Sequence, residues 1–471
     1  MHIFKYQHIL LAVALTTLFT ACDDKLDITP KGKTTLEKTS EIEELLNNDW
    51  DLGSVYPLVL VDNECYSSEN VTTLLSKTNS LDYVLLTYND SIDRASLTAE
   101  NEIYTKGYKN INYANTVIEK LADATDGTDA EKAEIDAEAH LLRAYMHYLM
   151  VNIYAAQYDE TTAEEEGGVP YVNNTDVFET KGKNTVAEVY DQILADCDQT
   201  YIDLLPDEET QEIRGSKAWG YSVRAKVLFQ MKRYSEALPL ALKALEYNGN
   251  IEDRTSIKET NEWVMEEIAD HHIFYINNGM GYPWGETLSL ETLDQFEDGD
   301  LVMDYAQDWG YPFWDDYYGE LLSGVKGSRY CSSFGLYWNN WGITAEQMYY
   351  LAAECYIRTG EIQKGLDLVN KVRKYRIDPD KYADFTASTE KEAMALLQKA
   401  KRIECIATYN NFFDDKRWNS EDDYKKTITR TMPLTNGETR SFSIAPDSKL
   451  WIFPFPANAT RYNSTLTQNY E

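Results

Sequence analysis

The stretch AEKAEIDAEAHLLRAYMHYLMVNIYAA, residues 130–156, decides the fold of this chain. Apolar residues recur along it at spacings of three and four, which places them on one side of a helix: Ile135, Ala139, Leu142, Tyr145, Met146, Leu149 and Ile153. The pattern predicts a long helix from about Ala130 to Ala156, begun by the turn and cap sequence at 126–129. A chain organised around such a helix is predicted to be mainly α.

The same periodicity predicts further helices at about Ala99–Ala122, Val186–Leu205, Ser216–Tyr247, Ala345–Glu354 and Ile362–Arg373. Two of these segments carry small and large residues at the offsets of a tetratricopeptide hairpin, in which small side chains let two helices approach closely. The first set is Ala225, Leu228, Tyr234, Ala237, Ala241 and Ala244, and the second is Ala353, Tyr356, Gly360, Ile362, Gly365, Val369 and Val372. Generic helical hairpins are the alternative interpretation.

The N-terminus has the pattern of a lipoprotein signal. A short apolar run, Ile9–Phe19, precedes Thr20-Ala21-Cys22 and the acidic stretch that follows. The run is too short for a hydrocarbon core of about 30 Å, and the small residues before Cys22 suit a signal peptidase. We expect residues 1–21 to be the signal peptide, Cys22 to carry a lipid, and 22–40 to form an extended tether. An ordinary secretory signal with a fortuitous cysteine is the alternative.

The remaining chain is predicted to divide into an N-terminal helical region, 41–250, and a C-terminal region, 251–471. The second region is predicted to hold aromatic-rich loops and a further helical hairpin.

Composition excludes several classes of partner. The 471 residues carry a formal net charge of -35 and are 43% hydrophobic, so the chain is expected to fold into a globular body with an acidic surface. Such a surface repels phosphate backbones and anionic headgroups, whereas it does not repel neutral carbohydrate. We therefore expect no nucleic-acid partner, and membrane attachment through the lipid alone.

No constellation of residues predicts catalysis. The histidine doublet His271-His272 lacks HExxH spacing, which favours a structural or surface role over a metal site. The cysteines beyond Cys22 show no CxxC spacing, and a single bridge between Cys65 and Cys331 is left open. With 79 acidic residues, neighbouring carboxylates occur by chance and do not define a glycosidase pair. We predict no catalytic centre, no metal and no cofactor.

Aromatic residues crowd a poorly periodic, Gly-rich stretch from Tyr282 to Trp341. A sugar ring has an apolar C–H face and a hydroxyl rim, so its sites combine flat aromatic rings with nearby polar side chains. The predicted ligand-binding residues are Trp284, Trp309, Trp314, Trp338 and Trp341, with Tyr88 and Tyr104 from the N-terminal half. The alternative is that these rings fill the core under long loops.

Several short motifs occur in an order that resembles a known family. They are Cys22–Pro30, Tyr108–Asn115, Glu138–Tyr145 followed by Gly168–Pro170, Arg402–Glu404, Phe412–Asp414 with Arg417-Trp418, Leu450–Pro456 and Leu466–Asn469. The chain resembles the SusD/RagB family, surface lipoproteins of Bacteroidota that cap an outer-membrane TonB-dependent transporter. It departs from the family pattern at Thr408–Asn411, which replaces a Glu-Gly-x-Arg, and in lacking an arginine after Asp298–Asp300.

The resemblance implies a SusD-like fold, in which four tetratricopeptide-type helical hairpins pack against an irregular ligand-binding part. It also implies a non-catalytic role at the outer membrane, in which the protein captures glycan and delivers it to a SusC-like transporter. The acidic residues after Cys22 resemble the surface-export signal of the family. Three alternatives stay open, which are peptide capture, as the RagB side of the family implies, a surface glycoside hydrolase, and a purely structural scaffold for the transporter.

Overall fold

The structure, a computed structural model, describes residues 36–66, 69–176, 178–208, 211–263, 269–277, 287–306, 313–314, 316–331 and 338–471. The predicted signal peptide, Cys22 and most of the predicted tether lie outside these residues. The described chain is mainly helical, which confirms the predicted fold class.

The described helices are numbered in chain order. They are α1 Thr39–Glu43, α2 Tyr56–Val61, α3 Val71–Ser76, α4 Leu81–Thr87, α5 Arg94–Leu97, α6 Glu102–Leu121, α7 Asp129–Tyr154, α8 Val186–Asp196, α9 Gln199–Ile202, α10 Lys217–Gln230, α11 Tyr234–Tyr247, α12 Ile257–Thr260, α13 Leu290–Leu293, α14 Leu301–Tyr305, α15 Asp316–Ser323, α16 Ala345–Arg358, α17 Ile362–Arg373, α18 Glu390–Glu404, α19 Asn410–Asn419 and α20 Ala457–Thr460. Among the residues described, none of these helices is both long enough and apolar enough to pass through a bilayer.

The described strands are short and form three small antiparallel sheets. They are β1 His272–Phe274, β2 Thr287–Leu288, β3 Phe313–Trp314, β4 Arg329–Cys331, β5 Ile343–Thr344, β6 Ile428–Pro433 and β7 Thr439–Ile444. Strand β1 pairs with β5, β4 lies between β2 and β3, and β6 and β7 form a hairpin. The β1–β5 pair leads directly into α16, so it positions the first turn of that helix.

Two predicted helical segments are each divided in two. The segment 186–205 forms α8 and α9, separated at Cys197-Asp198, and 216–247 forms the hairpin of α10 and α11. In the short connection of that hairpin Lys232 has a φ of 61°, a left-handed conformation that a lysine seldom adopts. The apolar periodicity of the sequence predicts the shared buried face of both helices, but it does not predict the turn that separates them.

Neighbouring helices pack as hairpins that stack on one another. Helix α10 packs on α11 and α16 on α17, while α11 also packs on α16. Gly360 turns the second hairpin with a φ of 89°, and a Cβ on Gly365 would lie 2.6 Å from the carbonyl oxygen of Ala353. That glycine is therefore needed for the close approach of α17 to α16. The classification of these hairpins as tetratricopeptide units stays a prediction.

Helix α7 is the centre of the N-terminal half. The Thr128 hydroxyl accepts a hydrogen bond from the amide of Glu131, and the Glu131 carboxylate accepts one from the amide of Thr128, so a capping box starts the helix. Every residue from Leu141 to Tyr154 is buried, which means that neighbouring elements cover this part of the helix on all sides.

Buried charges on α7 join it to its neighbours. The Arg143 guanidinium donates to both carboxylate oxygens of Asp196, at 2.6 and 2.7 Å, and to Asn115 Oδ1 at 2.9 Å. Burial alone would raise the pKa of Asp196, but hydrogen bonds from Arg143 and His140 hold it well below its usual range. Arg143 thus connects α7 to α6 and α8, and both Arg143 and Asn115 belong to the sequence motifs.

A second buried network joins α16 to α19. The Arg417 guanidinium donates to both oxygens of Glu354, at 2.6 and 2.9 Å, and the Trp418 Nε1–H donates to the same carboxylate at 3.0 Å. Asp414 accepts from Arg417 at 2.9 Å and pairs with Lys401 of α18 at 2.6 Å. Arg417 and Glu354 are both fully buried, so the Arg-Trp motif is a structural contact of the helical core.

Replacing Glu354 by Gln should lower the free energy of unfolding by about 3–5 kcal/mol, because the variant leaves the buried Arg417 charge without its main partner. Denaturant unfolding followed by circular dichroism measures this loss. The matched control is Glu438→Gln, which breaks a 2.9 Å ion pair between Glu438 and Arg440. The Glu438 side chain is 55% exposed. The control should change stability by less than about 0.5 kcal/mol. Equal effects of the two variants would contradict a structural role for the buried pair.

His147 on α7 is a buried neutral imidazole. Its Nδ1 lies 2.9 Å from the carbonyl oxygen of Arg143, and its Nε2 accepts a hydrogen bond from the Val172 amide at 3.0 Å. These partners require the proton on Nδ1 and none on Nε2. The ring stacks on Tyr171 at 3.9 Å, and burial lowers the pKa of His147 to about 3.

Because an unfolded histidine titrates near pH 6.5, acid protonates the unfolded chain before it protonates His147 in the folded one. This difference lowers the free energy of unfolding as the pH falls below 6.5, until the folded-state pKa is reached. When the pH is lowered from about 7 to about 5, the free energy of unfolding of the wild-type protein should fall by about 2 kcal/mol more than that of a His147→Gln variant. Denaturant unfolding at each pH measures the difference. Parallel pH profiles of the two proteins would contradict the assignment.

A candidate ligand-binding cleft

A large cleft opens beside α12 and α17. Its volume is about 800 Å³, which is within the usual range for sites that hold small ligands. The lining comes from 249–254, 256–257, 260, 262–263, 269–271 and two residues that belong to or follow α17. It includes Asn250, Asp253, Thr260, Glu262, Asp270, Lys371 and Tyr375. Most of this lining is polar, as expected of a site for a hydrated, hydroxyl-rich ligand.

A smaller cavity adjoins the cleft. It has a volume of about 70 Å³ and shares Glu252, Arg254, Trp263 and His271 with the cleft wall. Its other walls are provided by α14, the chain around Trp338, the first turn of α16 and the end of α18, including Asp300, Asn339, Thr344, Glu346, Gln347, Glu404 and Thr408. We call these two spaces the outer cleft and the inner cavity.

Two largely buried tryptophans lie at this site: Trp263, 7% exposed, lines both spaces, and Trp338, 9% exposed, lines the inner cavity alone. The rings of Trp263 and Trp338 meet edge to face, with centres 6.1 Å apart and planes at 82°. The Trp263 Nε1–H donates to Glu252 at 2.7 Å, and the Arg254 guanidinium lies 4.5 Å from the centre of the Trp263 ring. Trp263 is therefore held in a defined orientation by one carboxylate and one cation–π contact.

Arg376 fixes the charged wall of the inner cavity. Its guanidinium donates to the carbonyl oxygen of Glu252 at 2.7 Å, to Glu346 at 3.0 Å and to both oxygens of Glu404 at 2.8 and 2.9 Å. Burial alone would raise the pKa of Glu252, but the charges of Arg254 and Arg376 hold it at about 2. Glu252 is therefore ionised at neutral pH, and the carboxylates bound by Arg376 cannot move without breaking the network.

Asp300 has a different environment in the same cavity. One carboxylate oxygen accepts hydrogen bonds from the amides of Val302 and Met303, at 3.1 and 2.9 Å, and thereby caps α14. Burial raises the pKa of Asp300 to about 6, and the two amides and Arg254 oppose the rise. Its first role is to start α14, which forms one wall of the cavity.

The histidine doublet lies at this site. His271 lines both spaces, while His272 lines the inner cavity and stacks on Tyr275 with ring centres 5.1 Å apart. Within the ranges that the structure describes, no group of three or more His, Cys, Asp or Glu side chains is arranged to hold a metal ion.

The residues predicted to bind ligand lie in different parts of the structure or outside the described residues. Trp338 lies in the wall of the inner cavity. Trp284 and Trp309 lie outside the described residues, and Trp314 belongs to β3 although its side chain is not among those described. The question of a bridge between Cys65 and Cys331, which the sequence left open, stays open, because the Cys331 side chain is not among those described.

Trp341 is a core residue rather than an exposed platform. Its side chain is 0% exposed, its Nε1–H donates to the Gly53 carbonyl at 2.7 Å, and its ring stacks on Tyr409. Tyr88 is also buried, with the Arg430 guanidinium 4.4 Å from its ring centre. A ring that is closed in by protein on both faces has no face for a sugar, so the structure corrects the prediction for these two residues.

Tyr104 is half-buried within an aromatic cluster. Its ring centre lies 4.7 Å from that of Tyr108, 5.3 Å from that of Tyr154 and 5.9 Å from that of Phe455. These contacts make packing its main role in the described structure, and a binding role for it stays a prediction.

Sequence reasoning missed one residue of the site and one exposed patch that does not line it. Trp263 precedes the aromatic-rich stretch, so the density of rings could not identify it. On α15, Tyr317, Tyr318 and Leu321 are 67%, 42% and 59% exposed, and the two tyrosine rings meet edge to face at 5.4 Å. Residues 317 and 321 lie one helical turn apart, a spacing that could have indicated a shared exposed face. We call these three residues the α15 patch.

Comparison with known families and structures identifies the protein class. A family model described as "Starch-binding associating with outer membrane" matches residues 24–229, and one described as "SusD family" matches residues 345–471. The chain belongs to the SusD family. The segment 249–263, which forms much of the cleft, lies between the two matched ranges.

Solved structures share the fold over nearly the whole chain. A SusD superfamily protein from Bacteroides thetaiotaomicron is 16% identical with a TM-score of 0.67, over 92% of this chain and 99% of its own. A SusD-like carbohydrate-binding protein from Bacteroides vulgatus is 15% identical with a TM-score of 0.63, over 92% and 98%. Surface glycan-binding protein A from Bacteroides uniformis is 18% identical with a TM-score of 0.64, over 92% and 100%. No curated protein matches the sequence.

Proposed function

We propose that this protein is a non-catalytic surface lipoprotein that binds oligosaccharide or polysaccharide and delivers it to a SusC-like, TonB-dependent transporter. Membership of the SusD family supports the proposal, as does the fold shared with a surface glycan-binding protein. In this proposal Cys22 carries the lipid that anchors the chain to the outer membrane. The regions 41–250 and 251–471 are proposed to form the helical and the ligand-binding parts.

The polar lining of the outer cleft is the observation that carries the proposal. Its carboxylate, amide, hydroxyl and ammonium groups pair with the hydroxyl rim of a sugar. The cleft volume of about 800 Å³ suits a short oligosaccharide. The acidic surface, with a net charge of -35, favours a neutral ligand over a phosphorylated one.

A glycoside hydrolase needs one carboxyl that keeps its proton and a second that is ionised. Among the carboxyls that line the outer cleft and the inner cavity, Asp300, with its pKa of about 6, and Glu252, with its pKa of about 2, come nearest to this pattern. Each already has a structural partner, since Asp300 caps α14 and Glu252 pairs with Arg254 at 2.6 Å. We therefore favour binding without hydrolysis, and release of reducing sugar that Asp300→Asn abolishes would establish the alternative.

Replacing Trp263 by Ala should weaken oligosaccharide binding by about tenfold or more, because Trp263 forms part of the wall of both spaces and its Nε1–H holds Glu252 in place. Isothermal titration of the purified protein against a panel of neutral oligosaccharides and peptides measures the effect. The matched control is Phe178→Ala, which removes an aromatic side chain that is 95% exposed and does not line the cleft. Binding of peptides alone would favour the peptide-capture alternative, and binding of neither class would favour a structural scaffold.

The α15 patch should contribute to binding of long polysaccharide. Replacing Tyr317 and Tyr318 together by Ala should weaken retention in affinity gel electrophoresis by about threefold to tenfold, because exposed rings offer stacking surface at little cost in stability. The melting temperature should stay the same, since both side chains are exposed. Tyr462→Ala, which removes a ring that is 81% exposed, is the control and should retain wild-type mobility. Unchanged retention of the double variant would remove the patch from the binding surface.

A further inference from the structure

Two buried oxygens that accept no hydrogen bond point to a more specific ligand. They are Glu346 Oε2 and Gln347 Oε1, on the first turn of α16, and both residues line the inner cavity. Glu346 is 1% exposed and Gln347 is 4% exposed. The other oxygen of Glu346 already accepts from the Glu252 amide at 2.9 Å and from Arg376 at 3.0 Å. Buried acceptors without donors are unfavourable, so the cavity favours a group that donates at least two hydrogen bonds.

The charge of the cavity favours a donor that is also a cation. Four carboxylates line it, from Glu252, Asp300, Glu346 and Glu404. Two arginines face them, Arg254 in the lining and Arg376 behind it, and both already pair with these carboxylates. The outer cleft adds three more carboxylates, from Asp253, Glu262 and Asp270, against the single ammonium of Lys371. A negative potential in a partly enclosed site attracts positively charged groups.

The geometry favours an ammonium group over a metal ion. In the described part of the chain no three carboxylate, histidine or cysteine side chains are placed to ligate a metal. A primary ammonium carries three N–H donors, enough for both oxygens and one further acceptor. It is also attracted to the faces of tryptophan rings, as the position of Arg254 at 4.5 Å from Trp263 illustrates. The cavity volume of about 70 Å³ suits a group of this size, while the larger outer cleft accommodates the rest of the ligand.

We propose that the inner cavity is a subsite for the protonated primary amine of an amino-sugar unit, with the rest of the oligosaccharide in the outer cleft. This inference rests on the proposed glycan-binding function and makes it more specific. The ammonium donates to Glu346 Oε2 and Gln347 Oε1. An N-acetylated sugar lacks both the charge and two of the three N–H donors, so the subsite selects against it.

The experiment compares three hexasaccharides of the same β-1,4 linkage, made of glucosamine, N-acetylglucosamine or glucose, by isothermal titration of the detergent-purified full chain. The glucosamine hexamer should bind about tenfold more tightly than either of the others, because charge-assisted hydrogen bonds to buried acceptors are the strong ones. Gln347→Met keeps the side-chain volume but removes one acceptor, and it should reduce this preference to less than about threefold. Gln363→Met, on the exposed side of α17, is the matched control and should keep the full preference.

Each other outcome is decisive. Equal affinity for the glucosamine and glucose hexamers would overturn the amine subsite and leave the glycan-binding function in place. Binding of a lysine-containing peptide without binding of any hexamer or other oligosaccharide would overturn both proposals in favour of peptide capture. A preference for glucosamine that Gln347→Met leaves intact, with wild-type melting temperature, would place the amine elsewhere on the protein.

Discussion

The buried pair of Arg417 and Glu354 is the constraint on which much of the structure depends. It joins α19 to the middle of α16, and Trp418 and Asp414 complete the contact. Glu346 stands eight residues earlier on α16, which is about 12 Å along a helix. The helix that is anchored in the core therefore also carries the first-turn residues of the inner cavity. Because the pair is fully desolvated, losing either partner is costly, and the position of α16 is strongly determined.

A rigid helical body with a polar cleft between loops suits a protein that captures ligands. The fold is shared with other SusD proteins at 15–18% identity, whereas the segment 249–263 lies outside both matched family regions. Loops on a rigid scaffold can change their side chains without changing the core. Trp263 and the polar side chains of 249–263 can thus change without disturbing core networks such as that of Arg143.

Six helical segments could be predicted from the sequence because each carries periodic apolar positions, and the 362–373 helix has the predicted bounds, whereas α18, Glu390–Glu404, was not predicted. The site could not, because its contacts join distant parts of the chain. Arg376 bonds to Glu252, 124 residues away, and no local pattern reports such a contact. Trp338 and Trp341 lie three residues apart in an equally aromatic segment, yet one lines a cavity and the other packs in the core. Composition indicates the kind of site, whereas tertiary contacts decide which ring lines it.

The network around Arg376 also determines how an occupied cavity would affect the whole molecule. The guanidinium connects the chain before α12, the start of α16 and the end of α18 through Glu252, Glu346 and Glu404. A ligand bound to Glu346 therefore touches a junction of three segments instead of one flexible loop. Ligand binding would therefore raise the free energy of unfolding of the entire helical body. The ligand-bound protein would then resist heat and proteolysis as a single unit.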